Sequence, residues 1–95
     1  MKTQQTIHLT GMVPGLGGLE PVTCQNCAEV VEFHGMFRGA KIVVRLDSMQ
    51  VGANGKAIAL LEKHPTMNIW QGISNKGNKI HFSKKKMVAT LIVWC

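Results

Sequence analysis

The chain has 95 residues, of which 45% are apolar, which suits one small globular domain and is too apolar for a disordered chain. Eleven Lys and Arg residues against five Asp and Glu residues give a formal net charge of +6. This excess favours an anionic partner, because positive charge attracts phosphates without regard to sequence. A core of this size is marginal, so association into a homodimer would add stability.

The sequence predicts neither a membrane-spanning protein nor a secreted one. No stretch approaches the roughly 18 uncharged apolar residues of a membrane span, and the polar N-terminus has no signal-peptide core, so we expect no membrane partner. Cys24, Cys27 and Cys95 form an odd set that suits reduced thiols, which predicts a cytoplasmic location. No repeat or linker divides the chain, which predicts a single domain over residues 1–95.

The first half of the chain predicts three strands. Residues 6–13 alternate apolar and polar side chains, and Gly11 marks a bulge or a point of close approach. Residues 14–21 hold three glycines and two prolines and predict a loop. Residues 28–37 fit a strand or a helix, and the strand is preferred because an internal glycine would cost the helix about 1 kcal/mol. The β-branched run at residues 41–47 predicts the clearest strand.

The second half predicts the one helix of the chain, followed by further strands. Residues 54–64 carry an apolar stripe at helical spacing, between a capping asparagine and a terminating proline. Residues 67–74 alternate again, and residues 75–78 predict a tight turn. Residues 79–83 and 87–94 form either one long bent strand or two.

This order of elements favours a mostly-β fold with one helix, a five-stranded OB-fold-like Greek-key barrel. A closed barrel would remove the sheet edges that so short a chain must otherwise protect. The alternative is an α+β sandwich, in which the helix packs on an antiparallel sheet. Phe33, Phe37 and Phe82 are expected in the core, and Trp94 in packing or an interface.

Three segments carry a resemblance to a known family: residues 7–11 (IHLTG), residues 41–46 (KIVVRL) before the helix, and residues 69–74 (IWQGIS) before a basic turn and a final apolar strand. In these the chain resembles the small bacterial single-stranded DNA-binding proteins of the primosomal replication protein N type. The resemblance implies an OB-fold that binds single-stranded nucleic acid. The sequence has no acidic tail, so recruitment of partners through such a tail is not expected, and residues 24–27 lie outside the pattern.

Binding of single-stranded nucleic acid needs cations that follow its phosphate backbone and flat side chains on which its bases stack. Trp70 is the predicted stacking platform. Ile69 and Ile73 would take the inward face of their strand, which would leave the indole outward beside Lys76 and Lys79. The alternative is that Trp70 covers a neighbouring loop or an oligomer contact.

The predicted nucleic-acid-binding residues form two groups. One lies on or beside the second and third predicted strands, where OB-folds hold nucleic acid, and the other surrounds the last hairpin. An ordinary solvated surface is the alternative for both groups. The full predicted set is Arg38, Lys41, Arg45, Trp70, Lys76, Lys79, His81 and Lys84.

The sequence offers little for catalysis or for a cofactor. Cys24 and Cys27 form a CxxC pair, a weak zinc candidate that has no second pair and only His34 and Cys95 as unsupported further ligands. The carboxylates form no catalytic motif, and the glycine-rich segment lacks the lysine and hydroxyl of a phosphate-binding loop. We therefore expect no enzyme activity, no metal and no cofactor.

These observations lead to three hypotheses. The first is a non-enzymatic protein that binds single-stranded DNA or RNA with low sequence specificity through a basic groove and aromatic stacking. The second is a protein-interaction or oligomerisation module with an exposed apolar C-terminal strand at residues 91–94. The third is a small-ligand binder in which the glycine-rich segment, residues 14–21, closes a pocket.

Overall fold

The computed structural model describes residues 3–94, which form ten strands and one short 3-10 helix at Cys27–Glu29. No helix in this range has the length and apolarity that a membrane span requires. The strands are β1 (Gln4–Gly15), β2 (Gly18–Pro21), β3 (Glu32–Phe37), β4 (Ala40–Arg45), β5 (Gln50–Ala53), β6 (Lys56–Leu60), β7 (Glu62–Lys63), β8 (Trp70–Ile73), β9 (Lys79–Lys84) and β10 (Val88–Trp94).

The strands form a nearly closed antiparallel barrel in which most strands pair with the strand that follows them in the sequence. The order is β6-β5-β4-β3-β1-β10-β9-β8-β7, and β2 pairs only with the end of β1. The chain bends at Leu61, so β6 pairs with β5 while β7 pairs with β8. The seam between β6 and β8 nearly closes the sheet: the amide of Asn75 donates to the carbonyl of Ile58 at 2.7 Å. A Cβ on Gly72 would collide with the carbonyl oxygen of Leu60, so only glycine allows this approach.

The predicted mostly-β barrel is confirmed, and its finer description is wrong. Within residues 3–94 there are ten strands where five were predicted, and no helix longer than one 3-10 turn. The alternative sandwich, which requires a packed helix, fails for the same reason. Strand order follows the chain, with β1 joining the last strand to the third, instead of the Greek-key order of the predicted barrel.

The predicted helix at residues 54–64 is the hairpin of β5 and β6. Asn54 (φ 51°) and Gly55 (φ 84°) form its two-residue turn, and both lie in the left-handed region that such a turn requires. The Oδ1 atom of Asn54 accepts a hydrogen bond from the amide of Lys41 at 2.9 Å, which ties the turn to β4. Turn chemistry and cross-strand pairing therefore prevail over the helical spacing of the apolar residues.

Other segments correct the predictions near the N-terminus. Residues 14–21 are a hairpin extension and not a loop, since β1 continues to Gly15 and β2 returns beside it. The strand predicted at residues 28–37 begins only at Glu32. The close approach predicted at Gly11 is confirmed, because its amide donates to the carbonyl of Met87 at 2.7 Å.

Alternation along each strand fills the barrel with apolar side chains. The predicted core residues Phe33 and Phe82 are buried, with ring centroids 5.8 Å apart in an edge-on arrangement. Phe37 is half-buried and packs against this core. The remaining buried members of the main core are Ile7, Leu9, Ile42, Val44, Val51, Leu61, Ile80, Ala89, Leu91 and Val93.

The C-terminal strand is not exposed as the second hypothesis expects. β10 lies between β1 and β9 and pairs with both. Leu91 and Val93 point into the core, while Ile92 and Trp94 lie half-buried on the outer wall. The exposure predicted for the strand at residues 91–94 is therefore wrong.

The two ends of the barrel are named here by their turns. The upper end holds the turns at residues 38–39, 54–55 and 75–78. The lower end holds the loops at residues 46–49 and 64–69, with the remaining connections 22–31 and 85–87.

Candidate functional site

A cavity of about 300 Å³ opens at the upper end of the barrel. Its floor is the top of the main core, formed by Ile7, Ile42, Ile80, Leu91 and Val93. Its walls include Phe37, Ala40, Ala53 and Ile58. Because a single methyl group stands at each alanine, where a larger side chain would fill the interior, the space above the core stays open.

The rim of the cavity is polar and is built from two tight turns. Arg38 (φ 52°) and Gly39 (φ 79°) close the β3–β4 turn, and the guanidinium carbon of Arg38 lies 5.0 Å from the Phe37 ring centroid. In the other turn, the Ser74 hydroxyl accepts backbone hydrogen bonds from Lys76 at 3.3 Å and Asn78 at 3.1 Å. The backbone therefore fixes where both basic side chains leave the rim.

The charges of the barrel are unevenly distributed. The cationic side chains at the upper end are Arg38, Lys41, Lys56, Lys76 and Lys79. Four of the five carboxylate side chains lie toward the lower end, Glu20, Glu29, Glu32 and Asp47, and the other, Glu62, lines a groove on the outer wall together with Lys79. The ion pairs within residues 3–94 are His34–Glu32, Arg45–Glu32 and Arg45–Asp47, so none of them neutralises an upper-end cation. An anion at the cavity rim would meet Arg38 and Lys76, which no ion pair within residues 3–94 neutralises.

The structure brings together only part of the predicted nucleic-acid set. Arg38, Lys41, Lys76 and Lys79 share the upper end. The other members of the set lie elsewhere: Arg45 with its carboxylates, Trp70 and Lys84 toward the lower end, and His81 on the outer wall. A single groove that contains every predicted residue therefore does not exist.

Trp70 faces the core, and its predicted outward orientation is wrong. Its cross-strand partner is Phe82, with ring centroids 6.0 Å apart, and the indole is half-buried. The Nζ atoms of Lys63 and Lys84 lie 5.0 and 5.6 Å from the Trp70 ring centroid. Ile73, which was predicted to face inward, is 65% exposed. The strand begins only at Trp70, so alternation over the preceding residues gave the opposite phase.

Trp94 is the indole at the upper end, where β10 finishes on the outer wall. Its ring meets that of His81 edge-on at 4.8 Å between centroids, and the Lys79 Nζ atom lies 5.7 Å from its centroid. Burial, aided by the positive charges of Lys79 and His64, lowers the pKa of His81 below its usual 6.5. Its Nε2 atom is buried with no hydrogen-bond partner in the described part of the chain.

The weak zinc candidates lie in the connection between β2 and β3. The Cys27 Sγ atom is 3.7 Å from the Cys24 carbonyl oxygen, and Cys24 is exposed. The Nε2 atom of His34, a further ligand candidate, lies 2.7 Å from a Glu32 carboxylate oxygen, and Cys95 lies outside the described residues. Residues 3–94 contain no group of three or more His, Cys, Asp or Glu side chains placed to hold a metal ion.

Sequence reasoning missed the cavity itself. Ala40 and Ala53, which leave it open, carry no signal as single alanines, because the space depends on strand pairing. The glycine-rich segment predicted as a lid belongs to the lower end, so it does not close this cavity. No family model, curated protein or solved structure matches this chain, so what it can bind is argued from the cavity and its charged rim.

Proposed function

We propose that this chain is a non-enzymatic binding protein that takes a small amphipathic anion into the upper-end cavity. Such a ligand has a short apolar chain and a carboxylate or phosphate head. The observation that carries the proposal is the apolar cavity with cations at its mouth that form no ion pair with a carboxylate of residues 3–94. A reducing compartment such as the cytoplasm suits the free thiols Cys24 and Cys27.

The size and lining of the cavity support this class of ligand. Its volume of about 300 Å³ lies at the lower limit of small-molecule sites, which are mostly apolar with a few polar groups. Closed barrels of about eight strands have interiors that side chains fill or that hold one small ligand. The apolar chain would contact Ile42, Ile80 and Leu91, and the head would lie between Arg38 and Lys76.

The expected affinity is modest. Octanoate has about ten non-hydrogen atoms, and about 0.5 kcal/mol per atom gives a binding free energy near 5 kcal/mol, a Kd of roughly 0.2 mM. The carboxylate should matter, because charge-assisted hydrogen bonds are about twice as strong as neutral ones. Octanol, which keeps the chain and loses the charge, should therefore bind about tenfold more weakly.

Isothermal titration with octanoate and octanol tests the proposal. The double variant Arg38→Ala/Lys76→Ala should lose about tenfold in octanoate affinity, because it removes both cations from the rim. The matched control is Lys85→Ala/Lys86→Ala, which removes the same charge at the lower end and should bind as the unchanged chain does. Equal binding of octanoate and octanol, or an equal loss in both double variants, would refute the proposal.

Single-stranded nucleic acid is the second candidate, supported by the four predicted cations that share the upper end. Base stacking would then use Trp94 or Phe37, since Trp70 lies toward the other end. Contact with about four phosphates gives a log–log salt slope near −3. Titration with oligo(dT) at several salt concentrations tests this candidate, and affinity that does not change with salt would eliminate it.

A further inference from the structure

The end of the hairpin formed by β1 and β2, residues 14–21, is called here the arm. It extends from the lower end of the barrel, with Leu16 at its tip. Every residue of the arm is exposed, whereas the preceding residue, Val13, is 1% exposed. Leu16 at the tip is fully exposed, and Leu19 is 40% exposed. The arm is therefore held at its base, and no other part of residues 3–94 covers its tip.

The tip combines an apolar side chain with a carboxylate. Leu16 is flanked by Gly15 and Gly17, which have no side chains to shield it. A Cβ on Gly15 would collide with the side chain of Glu20, so that carboxylate group lies over Gly15, the residue that precedes Leu16 in the chain. In chemical class the tip of the arm is itself an amphipathic anion.

The arm and the cavity lie at opposite ends of the molecule. β1 starts at the upper end with Gln4, crosses the barrel and enters the arm at Pro14. This path of about ten residues spans roughly 30 Å, so the arm cannot reach its own cavity. The cavity of a second copy has the apolar floor and basic rim that suit Leu16 and Glu20.

We propose that the arm of one copy inserts Leu16 into the upper-end cavity of a second copy, where Glu20 faces Arg38 and Lys76. The inference rests on the proposed function, because it names the occupant of the same cavity. Each copy would donate an arm and accept one, which is a head-to-tail contact that forms chains or rings. Free amphipathic anion would compete with the arm and dissociate the assembly.

Complementary variants test this contact by sedimentation velocity from about 10 µM to about 1 mM, the range expected of a small interface. Leu16→Asp removes the arm's apolar tip and keeps the cavity. Arg38→Glu/Lys76→Glu reverses the rim charge and keeps the arm. Each variant alone should be monomeric, and their mixture should give a 1:1 dimer that grows no further. Leu60→Asp, at a 59% exposed site on the barrel wall, is the matched control and should assemble as the unchanged chain does.

The outcomes separate this inference from the proposed function. A chain that stays monomeric to about 1 mM, or a mixture that forms no dimer, overturns the arm contact. Loss of assembly in the Leu60→Asp control also overturns it, since the effect would then lack any link to the arm. Octanoate binding is measured on the Leu16→Asp monomer, whose cavity is intact, so the proposed function stands or fails there independently.

Discussion

Filling the cavity should stabilise the barrel and abolish ligand binding together. Ala53→Leu adds three carbons at the cavity wall, next to Ile42 across the β4–β5 pair. At about 0.8 kcal/mol per buried methylene the gain has an upper limit near 2.4 kcal/mol, and partial exposure with lost rotamer freedom reduces it to about 1 kcal/mol. For a chain of this length that raises the Tm by about 4–8 °C. Octanoate affinity should fall more than tenfold, because the new side chain occupies the ligand's volume.

Thermal unfolding followed by circular dichroism, and titration calorimetry on the same samples, measure both effects. The matched control is Ala57→Leu, which adds the same atoms at an exposed position on β6 outside the cavity. Its Tm should stay within about 2 °C of that of the unchanged chain. Its octanoate affinity should not change. A folded Ala53→Leu chain that binds octanoate normally would refute the assignment of this cavity as the ligand site, and one with a lower Tm would refute the predicted stabilisation.

The other predictions concern a turn, an indole and a histidine. Gly55→Ala places a side chain at φ 84° and should destabilise the chain by about 1 kcal/mol or more in chemical denaturation, whereas Gly17→Ala, which has open space and no positive φ, should stay within about 0.5 kcal/mol. Trp70→Ala should cost about 2–3 kcal/mol in the same assay, because a half-buried indole leaves the core; a neutral result would contradict its packing on Phe82. The lowered pKa of His81 means that the unfolded chain binds more protons below pH 6.5, so stability should decrease as pH falls from about 7 to about 5. His81→Gln should flatten that part of a Tm profile, and an unchanged slope would exclude His81 as its source.

The sequence predicted those strands in which alternation alone decides the structure. Residues 6–13 and 41–47 alternate over several residues with β-branched side chains. Residues 6–13 lie in β1, and residues 41–45 lie in β4, which ends at Arg45, two residues earlier than predicted. The buried side chains Ile7, Leu9, Ile42 and Val44 point into the core. The burial of Phe33 and Phe82 follows from the same pattern.

The errors arose where local patterns compete. Residues 56–63 have good helix formers at helical spacing, while Asn54-Gly55 is a strong hairpin signal, and only pairing with β5 and β8 decides between them. For Trp70 the face depended on where the strand begins, and a shift of one residue reverses every side chain.

Most of the candidate site could not be predicted from the sequence. The positive charge excess predicted an anionic partner, and four of the predicted cations do share one end. Which end each cation occupies depends on strand direction, and the open cavity depends on Ala40 and Ala53 meeting larger partners across the sheet. Neither the clustering of the cations at one end nor the open cavity can be predicted from the order of residues along the chain.

Gly11 lies where the barrel wall passes into the arm. Its amide donates to Met87, its carbonyl accepts from the amide of Val22, and a Cβ there would press on the Met87 oxygen and on Val30. A side chain at this position would push β1 and β2 away from the barrel wall and change the angle at which the tip projects. The packing around Gly11 therefore sets the direction in which the tip projects. A substitution at residue 11 would change the contacts of Leu16 although the two residues do not touch.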